Sequence, residues 1–269
     1  MARGIRSSGE PPSGAGARSR WLVVSYSPVT LFSLRMSTAT SSGGKTLLVP
    51  TPYAVKIALV DAAIRAEDVA AGERVLQMVK GREIRFRPPK HTIVNNTFVR
   101  ILREREMKAK KEDTDEYRAK LRQMREAPYQ RTIAYREFCA YTGVLDVAIG
   151  IEGLSGEEVA WLVLLCAHVN YFGKRGSFMQ FSGANETESL PEGFTQPAGD
   201  VVDGGRRFGA IQPLDDIGDA MAPDLFDRIS TYGAGRVELG KHRVLRPTLL
   251  PCRLGRTTRD YTEYTLIES

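Results

Sequence analysis

The 269-residue chain has few of the side chains that build metal sites or disulfide frameworks. It contains three cysteines, Cys139, Cys166 and Cys252, which stand far apart and form no CxxC pair. Its three histidines have no Cys or carboxylate neighbour at metal-ligand spacing. A disulfide framework, a thiolate zinc site, a bound metal and a cofactor are therefore not expected, and this cysteine usage fits a reducing cytoplasm.

Long apolar runs and nucleotide-binding loops are also missing. The longest strongly apolar stretch, residues 159–169, is far shorter than the roughly 20 residues of a membrane helix, so no membrane partner is expected. The chain has no Walker loop, no dinucleotide fingerprint after a strand and no GxSxG elbow, which disfavours an energy-consuming or hydrolytic enzyme. Residues 1–20 are rich in Gly, Ser, Pro and Arg and lack an apolar core, which predicts a disordered tail or an over-extended gene start rather than a signal peptide.

Charge is spread unevenly along a chain of formal net charge +6. Residues 81–131 hold fifteen Lys or Arg against eight Asp or Glu, whereas residues 184–227 hold two against ten. A basic middle favours an acidic partner such as nucleic acid, although charge alone decides nothing.

The first part of the folded region alternates strand and helix signals. Residues 21–34 are dense in Val, Tyr, Phe and Leu and predict a strand with an irregularity at Pro28. Thr51-Pro52 is the N-cap and first-turn pair of a helix that runs through Arg65, with Lys56 off its apolar stripe. A second helix is expected to end near Lys80-Gly81.

More strands and a buried helix follow. Residues 82–88 alternate apolar and basic side chains, and residues 91–102 predict another strand. Residues 130–141 and 144–151 resemble a hairpin that turns at Thr142-Gly143. Ser155 and Glu158 form a capping-box pattern before an apolar helix that continues to Val169 and includes His168 as an expected core residue.

The order strand, helix, strands, helix, strand is the ferredoxin-like pattern shared with the RNA-recognition motif, within the α+β class. The predicted organisation is a tail over 1–20, a ferredoxin-like domain over 21–182, and an acidic loop with a small C-terminal β-rich subdomain over 183–269. The segment 104–126 is charged, with few apolar anchors, and predicts an insertion that is a solvated helix or a mobile loop.

The most informative segment is the glycine-bracketed basic turn at residues 171–178. Gly173 and Gly176 let backbone N–H groups face outward, while Lys174 and Arg175 supply positive charge and Phe178 offers a ring for base stacking. The turn could therefore cradle an RNA backbone. The alternative is a helix C-cap at Gly173 followed by exposed basic residues.

Three features together resemble the Cas5 (Cas-five) family of CRISPR-associated RAMP proteins. They are the strand that ends in Leu34-Arg35, the loop that closes on Val49-Pro50-Thr51-Pro52-Tyr53, and the buried helix that runs into Gly173-Lys174-Arg175-Gly176-Ser177-Phe178. The resemblance covers most of residues 21–267. The charged segment and the acidic loop depart from the family pattern as insertions.

The resemblance implies a non-catalytic subunit of a type I Cascade complex that binds and caps the 5′ handle of CRISPR RNA in antiviral defence, in the cytoplasm. Its partners would be CRISPR RNA, the backbone and large subunits and, through the complex, target DNA. The segment 104–126 would then be the element that protrudes between backbone subunits and RNA. The predicted RNA-binding residues are Arg35, Lys45, Tyr53, Gly173, Lys174, Arg175 and Phe178.

Two alternatives remain open from the residues. Some members of the resembled family cleave precursor RNA with Tyr, Lys and His, and Tyr53, Lys90 and His91 would be the set in a metal-independent endoribonuclease. Adjacent side chains on a strand point to opposite faces, which speaks against Lys90 and His91 meeting one phosphate. Lys241-His242-Arg243 is a weaker set of the same kind or a basic strand end. The other alternative is a generic RNA-recognition protein outside CRISPR biology.

Overall fold

The computed structural model describes residues 19–39, 43–107, 114–200, 209–218, 223–230, 233 and 235–267. The expected N-terminal tail lies outside these ranges up to residue 18, as do parts of the charged segment and of the acidic loop. Within the described ranges the helices are α1 (Pro52–Ala66), α2 (Val69–Val79), α3 (Asp115–Glu126), α4 (Gly156–His168) and α5 (Leu225–Ile229). The strands are β1 (Trp21–Pro28), β2 (Gly43–Gly44), β3 (Ile84–Arg87), β4 (His91–Glu104), β5 (Tyr129–Thr142), β6 (Leu145–Gly150), β7 (Met179–Thr187), β8 (Gln196–Pro197), β9 (Ala210–Ile217), β10 (Arg243–Leu250), β11 (Cys252–Thr257) and β12 (Tyr261–Leu266).

A four-stranded antiparallel sheet of order β3-β6-β1-β7 carries the helices. Alternation along β1 divides its side chains between two faces. Leu22, Val24 and Tyr26 enter the main core, whereas Trp21 and Val23 pack in a smaller cluster with Phe194 on the opposite face. Helix α1 packs against α2 and α4, so the helical layer lies over the main core.

Two further sheets extend this unit. A five-stranded sheet has the order β11-β12-β4-β5-β2, and a three-stranded sheet has the order β8-β10-β9. Strand β12 pairs with β4, so strands from the C-terminal part of the chain join a sheet whose longest strands are β4 and β5. The protein is therefore a mixed α/β fold with mainly antiparallel sheets.

The prediction of a hairpin over residues 130–151 is wrong. Strand β5 pairs with β4 over its whole length, whereas β6 pairs with β1 and β3 in the other sheet. Gly143, with a positive φ of 109°, turns the chain from one sheet to the next instead of closing a hairpin. Local turn chemistry marked this turn correctly but could not indicate which strands pair across it.

The first strand is also shorter than expected. It ends at Pro28, and its register shifts between Ser25 and Tyr26 rather than at the proline. Beyond it, Phe32 and Arg35 form only isolated bridges, to Cys139 and Thr46.

Both helix starts are confirmed at the predicted residues. The Thr51 hydroxyl accepts a hydrogen bond from the Ala54 N–H at 3.1 Å, with Pro52 in the first turn. The Ser155 hydroxyl accepts from the Glu158 N–H at 3.2 Å, and the Glu158 carboxylate accepts from the Ser155 N–H at 2.8 Å. These reciprocal bonds satisfy donors that a helix N-terminus leaves unpaired.

The charged segment is a solvated helix where the structure describes it. Helix α3 has no buried residue, and it lies in the connection between the two strands of the long β4–β5 hairpin. This confirms the expectation of a surface element for residues 115–126.

Two polar side chains differ in burial from what the helical pattern indicates: Lys56 is buried and His168 is exposed. Lys56 is 1% exposed, and its ammonium group donates to the Asp216 carboxylate at 2.7 Å and to the Lys80 carbonyl at 3.0 Å. His168 is exposed, so its expected core position is wrong. Both errors arose because a helical period shows which residues share a stripe but not which neighbours cover it.

The cysteines are free and buried, in agreement with the absence of a disulfide pattern. Burial raises the pKa of the Cys166 and Cys252 thiols to about 12, and raises that of Cys139 further. No helix within the described residues is long and apolar enough to cross a membrane.

The buried Lys56–Asp216 pair generates a stability prediction. Lys56→Met keeps much of the side-chain volume but removes the charge, so it leaves the Asp216 carboxylate and the Lys80 carbonyl without this donor. We expect the free energy of unfolding to fall by about 2 kcal/mol, because the Asp216 carboxylate loses its buried partner and keeps only Arg246, at 3.6 Å, as an ion-pair partner among the described residues. Urea denaturation measures the change. Lys120→Ala breaks an exposed pair on α3 and is the control, with an expected loss below about 0.5 kcal/mol; equal losses for the two variants would refute a structural role for Lys56.

Candidate nucleic-acid interface

The glycine turn closes on itself immediately after α4. Tyr171 and Phe178 form an antiparallel bridge, and the Met179 N–H donates to the Asn170 carbonyl at 2.9 Å. Gly173 and Gly176 have positive φ angles of 71° and 102°, which side chains with a Cβ rarely adopt. The turn therefore exposes Lys174 and Arg175 at its tip.

Hydrogen bonds hold this turn against the segment that follows β1. The Phe178 N–H donates to the Thr30 hydroxyl at 2.8 Å, and the Ser33 N–H donates to the buried Ser177 hydroxyl at 3.0 Å. Arg35 follows Ser33 by two residues. We call the segment after β1, residues 29–35, the first strand junction. It and the turn are therefore neighbours in space, although about 140 residues separate them in the chain.

A second crossing fixes the loop that leads to α1. Arg35 and Thr46 form an isolated antiparallel β-bridge. On either side of it, the Met36 N–H donates to the Lys45 carbonyl at 3.1 Å and the Leu47 N–H donates to the Leu34 carbonyl at 2.8 Å. This crossing brings the loop back beside Arg35 and delivers the chain to the N-cap of α1, with Tyr53 in the first helical turn.

These elements enclose a cavity of about 710 Å³. Of the predicted RNA-binding residues, Arg35, Tyr53, Gly173 and Lys174 line it, together with Leu34. Apolar side chains of α1 and α5 make up much of the remaining wall. Its residues are Thr51, Ala54, Ile57, Ala58, Val60, Asp61, Ile64, Arg65, Val69, Val169, Asn170, Tyr171, Asp215, Phe226, Ile229, Ser230 and Arg243. Volume and lining are those of a small-ligand site.

The four basic side chains of the cavity differ in their partners. Arg65 pairs with Asp61 at 2.9 Å, and Arg243 pairs with Asp215. Arg35 and Lys174 have no acidic partner among the described residues. These two cations are therefore the ones available to an anion.

Arg243 is the functional candidate that the sequence reasoning undervalued. The sequence offers it only within Lys241-His242-Arg243, as a weaker catalytic set or a basic strand end, yet its guanidinium lies over the Tyr53 ring at 4.9 Å from the ring centre. The strand that carries it is almost 200 residues from Tyr53, so no local pattern could reveal the contact. Burial raises the pKa of the Tyr53 phenol. Two smaller effects oppose each other, because the charge of Arg243 lowers this pKa and the charge of Asp215 raises it.

Three predicted RNA-binding residues lie outside the cavity lining. Lys45 is exposed next to the bridge partner of Arg35, and Arg175 is exposed at the tip of the turn. Phe178 is 43% exposed and lines an adjoining groove with Val29 and Phe181. Groove and cavity share Val169 and Asn170, so the ring of Phe178 lies along a surface continuous with the cavity.

Only one member of the alternative catalytic set lines the cavity. Tyr53 does, whereas Lys90 and His91 do not. His91 is the first residue of β4 and is paired with both Thr142 and Thr265, which places it inside the five-stranded sheet. Over the residues that the structure describes, no group of three His, Cys, Asp or Glu side chains could hold a metal ion.

The β4–β5 hairpin is a second surface with unusual exposure. Phe98 and Ile133 are 73% and 72% exposed, and Phe98 packs edge to face on Tyr135 at 5.7 Å. Arg100 is opposite Ile133 in the register, so this face of the hairpin combines aromatic, aliphatic and basic side chains.

The sheets, the cavity and its two unpaired cations define a mixed α/β protein with a candidate anion-binding site. No protein-family model matches the chain. Among curated proteins, it is 26% identical over 136 residues to the CRISPR-associated protein Cas5 of Archaeoglobus fulgidus, a match that covers 50% of this chain and 53% of that protein. The matched region thus spans about half the length of this relative.

Among solved structures, a crystal structure of a CRISPR protein from Archaeoglobus fulgidus aligns with 93% of this chain and 92% of that chain, at 9% identity and a TM-score of 0.41. The score is low, so this structural likeness carries no argument. The sequence similarity to a Cas5 protein confirms the resemblance to the Cas5 family noted from the motifs. A CRISPR-associated role is thereby favoured over a generic RNA-recognition protein.

The close packing at Gly173 generates a prediction about the cavity wall. A Cβ on Gly173 would lie 2.6 Å from Leu34 Cδ1, whereas one on Gly153, which has a similar φ of 75°, would meet nothing within 4 Å. We expect Gly173→Ala and Gly153→Ala each to lower the free energy of unfolding by about 1 kcal/mol, because both place a Cβ in the left-handed region. Only Gly173→Ala should shift the Leu34 methyl resonances in NMR spectra; unchanged Leu34 resonances would show that this wall is not tightly packed.

Proposed function

We propose that the chain is an RNA-binding, non-catalytic subunit of a type I CRISPR Cascade complex, in which it holds and caps the 5′ handle of CRISPR RNA. The observation that carries the proposal is the cavity, which joins Arg35 and Tyr53 with Lys174, a residue more than 120 positions further along the chain. Single-stranded RNA is commonly held by cations at its phosphates and aromatic rings at its bases. The Cas5 relative supports the CRISPR setting.

The topology of the first sheet supports a ferredoxin-like core for this subunit. Strands β1, β3, β6 and β7 occur in the chain with helices after the first and third of them, and their order in the sheet is β3-β6-β1-β7 with every pair antiparallel. That succession is the split strand–helix–strand arrangement. The long β4–β5 hairpin is then an insertion between the second and third strands of the core.

The cavity suits one nucleotide of such an RNA. Its volume is within the range of small-molecule sites, its interior is mostly apolar, and its unpaired cations lie on the glycine turn and the first strand junction. A base would enter toward α1 while its phosphate remained near Arg35 and Lys174. The continuous groove at Phe178 provides a ring for a neighbouring base.

The remaining parts of the proposal concern partners. The exposed aromatic and basic face of the β4–β5 hairpin is our candidate contact with the backbone subunits and RNA. Contact with the large subunit, and with target DNA, would then occur within the assembled complex. We place this role in the cytoplasm.

The positions of the alternative catalytic residues favour binding over catalysis. A raised pKa keeps the Tyr53 phenol protonated near neutral pH, so the phenol can donate a proton but is a poor general base. Lys90 and His91 line no part of its cavity. We therefore propose that Tyr53 acts as a stacking surface.

The binding prediction concerns the tip of the glycine turn. Lys174→Glu with Arg175→Glu should weaken binding of a fluorescent RNA that carries the repeat-derived 5′ handle by about tenfold or more, because charge-assisted contacts are each of order 1.5–3 kcal/mol. Fluorescence anisotropy at several salt concentrations measures the affinity, and the salt dependence should become less steep.

The matched control reverses two exposed arginines on β11. Arg253→Glu with Arg256→Glu changes the net charge equally but does not alter the cavity lining. Its affinity should stay within about twofold of wild type. Equal losses in the two double variants would show that only net charge matters and would remove the turn from the site.

Catalysis is tested with the same RNA extended to a full repeat. We expect the wild-type protein to leave it intact in EDTA, since binding without cleavage is the proposed role. Cleavage at one position, abolished by His91→Ala, would refute the non-catalytic role and establish a metal-independent endoribonuclease.

A further inference from the structure

Arg243 is held by three separate contacts. Its Nε donates to the Asp215 carboxylate, its Nη2 donates to the Ser37 hydroxyl at 3.2 Å, and its guanidinium plane lies over Tyr53. A guanidinium with three fixed contacts has lost most of its rotational freedom. It therefore forms a rigid part of the cavity wall rather than a mobile surface cation.

Asp215 is the least exposed of these partners. Its side chain is 2% exposed, although it carries a carboxylate and lies beside a cavity that we assign to an anion. A buried carboxylate needs a partner, and Arg243 supplies it. Strands β9 and β10 pair directly, with Asp215 opposite Leu245, so both members of the pair come from the C-terminal part of the chain.

We propose that Asp215 is a positioning residue, which holds Arg243 against Tyr53 and so fixes the stacking surface of the RNA cavity. The inference rests on the proposed RNA-binding function. Because Arg243 covers one face of the Tyr53 ring, a base that stacks on Tyr53 must use the other face. The C-terminal strands thus complete a site whose phosphate-binding cations lie in the first strand junction and the glycine turn.

The sign of the effect separates positioning from simple electrostatics. Removing a negative charge near a polyanion site should strengthen binding if charge alone matters. Removing a residue that orders the stacking surface should weaken it, because the freed Arg243 and Tyr53 must be ordered again on binding.

The experiment compares two carboxylates of the same cavity. Asp61 also lines the cavity, but its pair with Arg65 is exposed and lies within α1, so it orders no part of the Tyr53 surface. With the handle RNA as probe, Asp61→Asn should bind more tightly than wild type. Asp215→Asn should bind about tenfold more weakly, the scale of one lost stacking contact.

A second variant tests the same link from the other side. Arg243→Lys keeps the positive charge but removes the planar guanidinium. An ammonium group cannot bind Asp215 and Ser37 and also stack on the Tyr53 ring. It should reproduce the loss of Asp215→Asn, and the double variant should be no weaker than either single one, because each breaks the same unit. Thermal unfolding of all variants shows which remain folded at the assay temperature.

The outcomes distinguish the inference from the function on which it rests. If wild-type protein does not bind the handle RNA, the proposed function itself is wrong. If wild type binds and Asp215→Asn binds as tightly as Asp61→Asn, Asp215 is not a positioning residue. Additive losses in the double variant would likewise overturn the inference. If Asp215→Asn is unfolded, a wild-type affinity for folded Arg243→Lys would overturn it too.

Discussion

Two adjacent carboxylates on β9 connect the C-terminal strands to the helical layer. Asp216 pairs with buried Lys56 of α1, and Asp215 pairs with Arg243, which packs on Tyr53 one turn earlier in the same helix. Successive strand residues point to opposite sides, so the two acids reach different partners. Lys56 also donates to the Lys80 carbonyl at the end of α2. A single strand segment thus sets the position of α1, and α1 forms one wall of the cavity.

What the sequence predicted well depends on signals that act within a few residues. The Thr51-Pro52 and Ser155 helix starts follow from hydrogen bonds that each cap makes to its own first turn. The exposure of Lys174 and Arg175 follows in the same way from two glycines that force a tight turn. Such features are independent of the rest of the fold, which is why one sequence is enough to find them.

The errors concern contacts between distant residues. Turn residues near Gly143 marked a change of direction, but strand pairing placed β5 and β6 in separate sheets. An amphipathic pattern could not show that β9 covers Lys56 while nothing covers His168. The candidate site was predicted in the same uneven way: its cations at the glycine turn and first junction have local motifs, but Arg243 is recognisable only from its contact with Tyr53.

The pairing pattern also bears on how the proposed site would hold RNA without attracting every polyanion. Four cations around the cavity would create a strong local potential, but two of them are neutralised by Asp61 and Asp215 within the same wall. Among the described residues, the cavity-lining cations without an acidic partner are Arg35 and Lys174, on the segment after β1 and on the glycine turn, which the Ser33–Ser177 hydrogen bond holds together. Since nonspecific affinity grows with the number of phosphates neutralised, the proposed RNA site, with two such cations in its lining, would gain the rest of its binding from shape and stacking. In the proposed complex, the paired arginines would determine the form of the cavity, and Arg35 and Lys174 would determine where a phosphate lies.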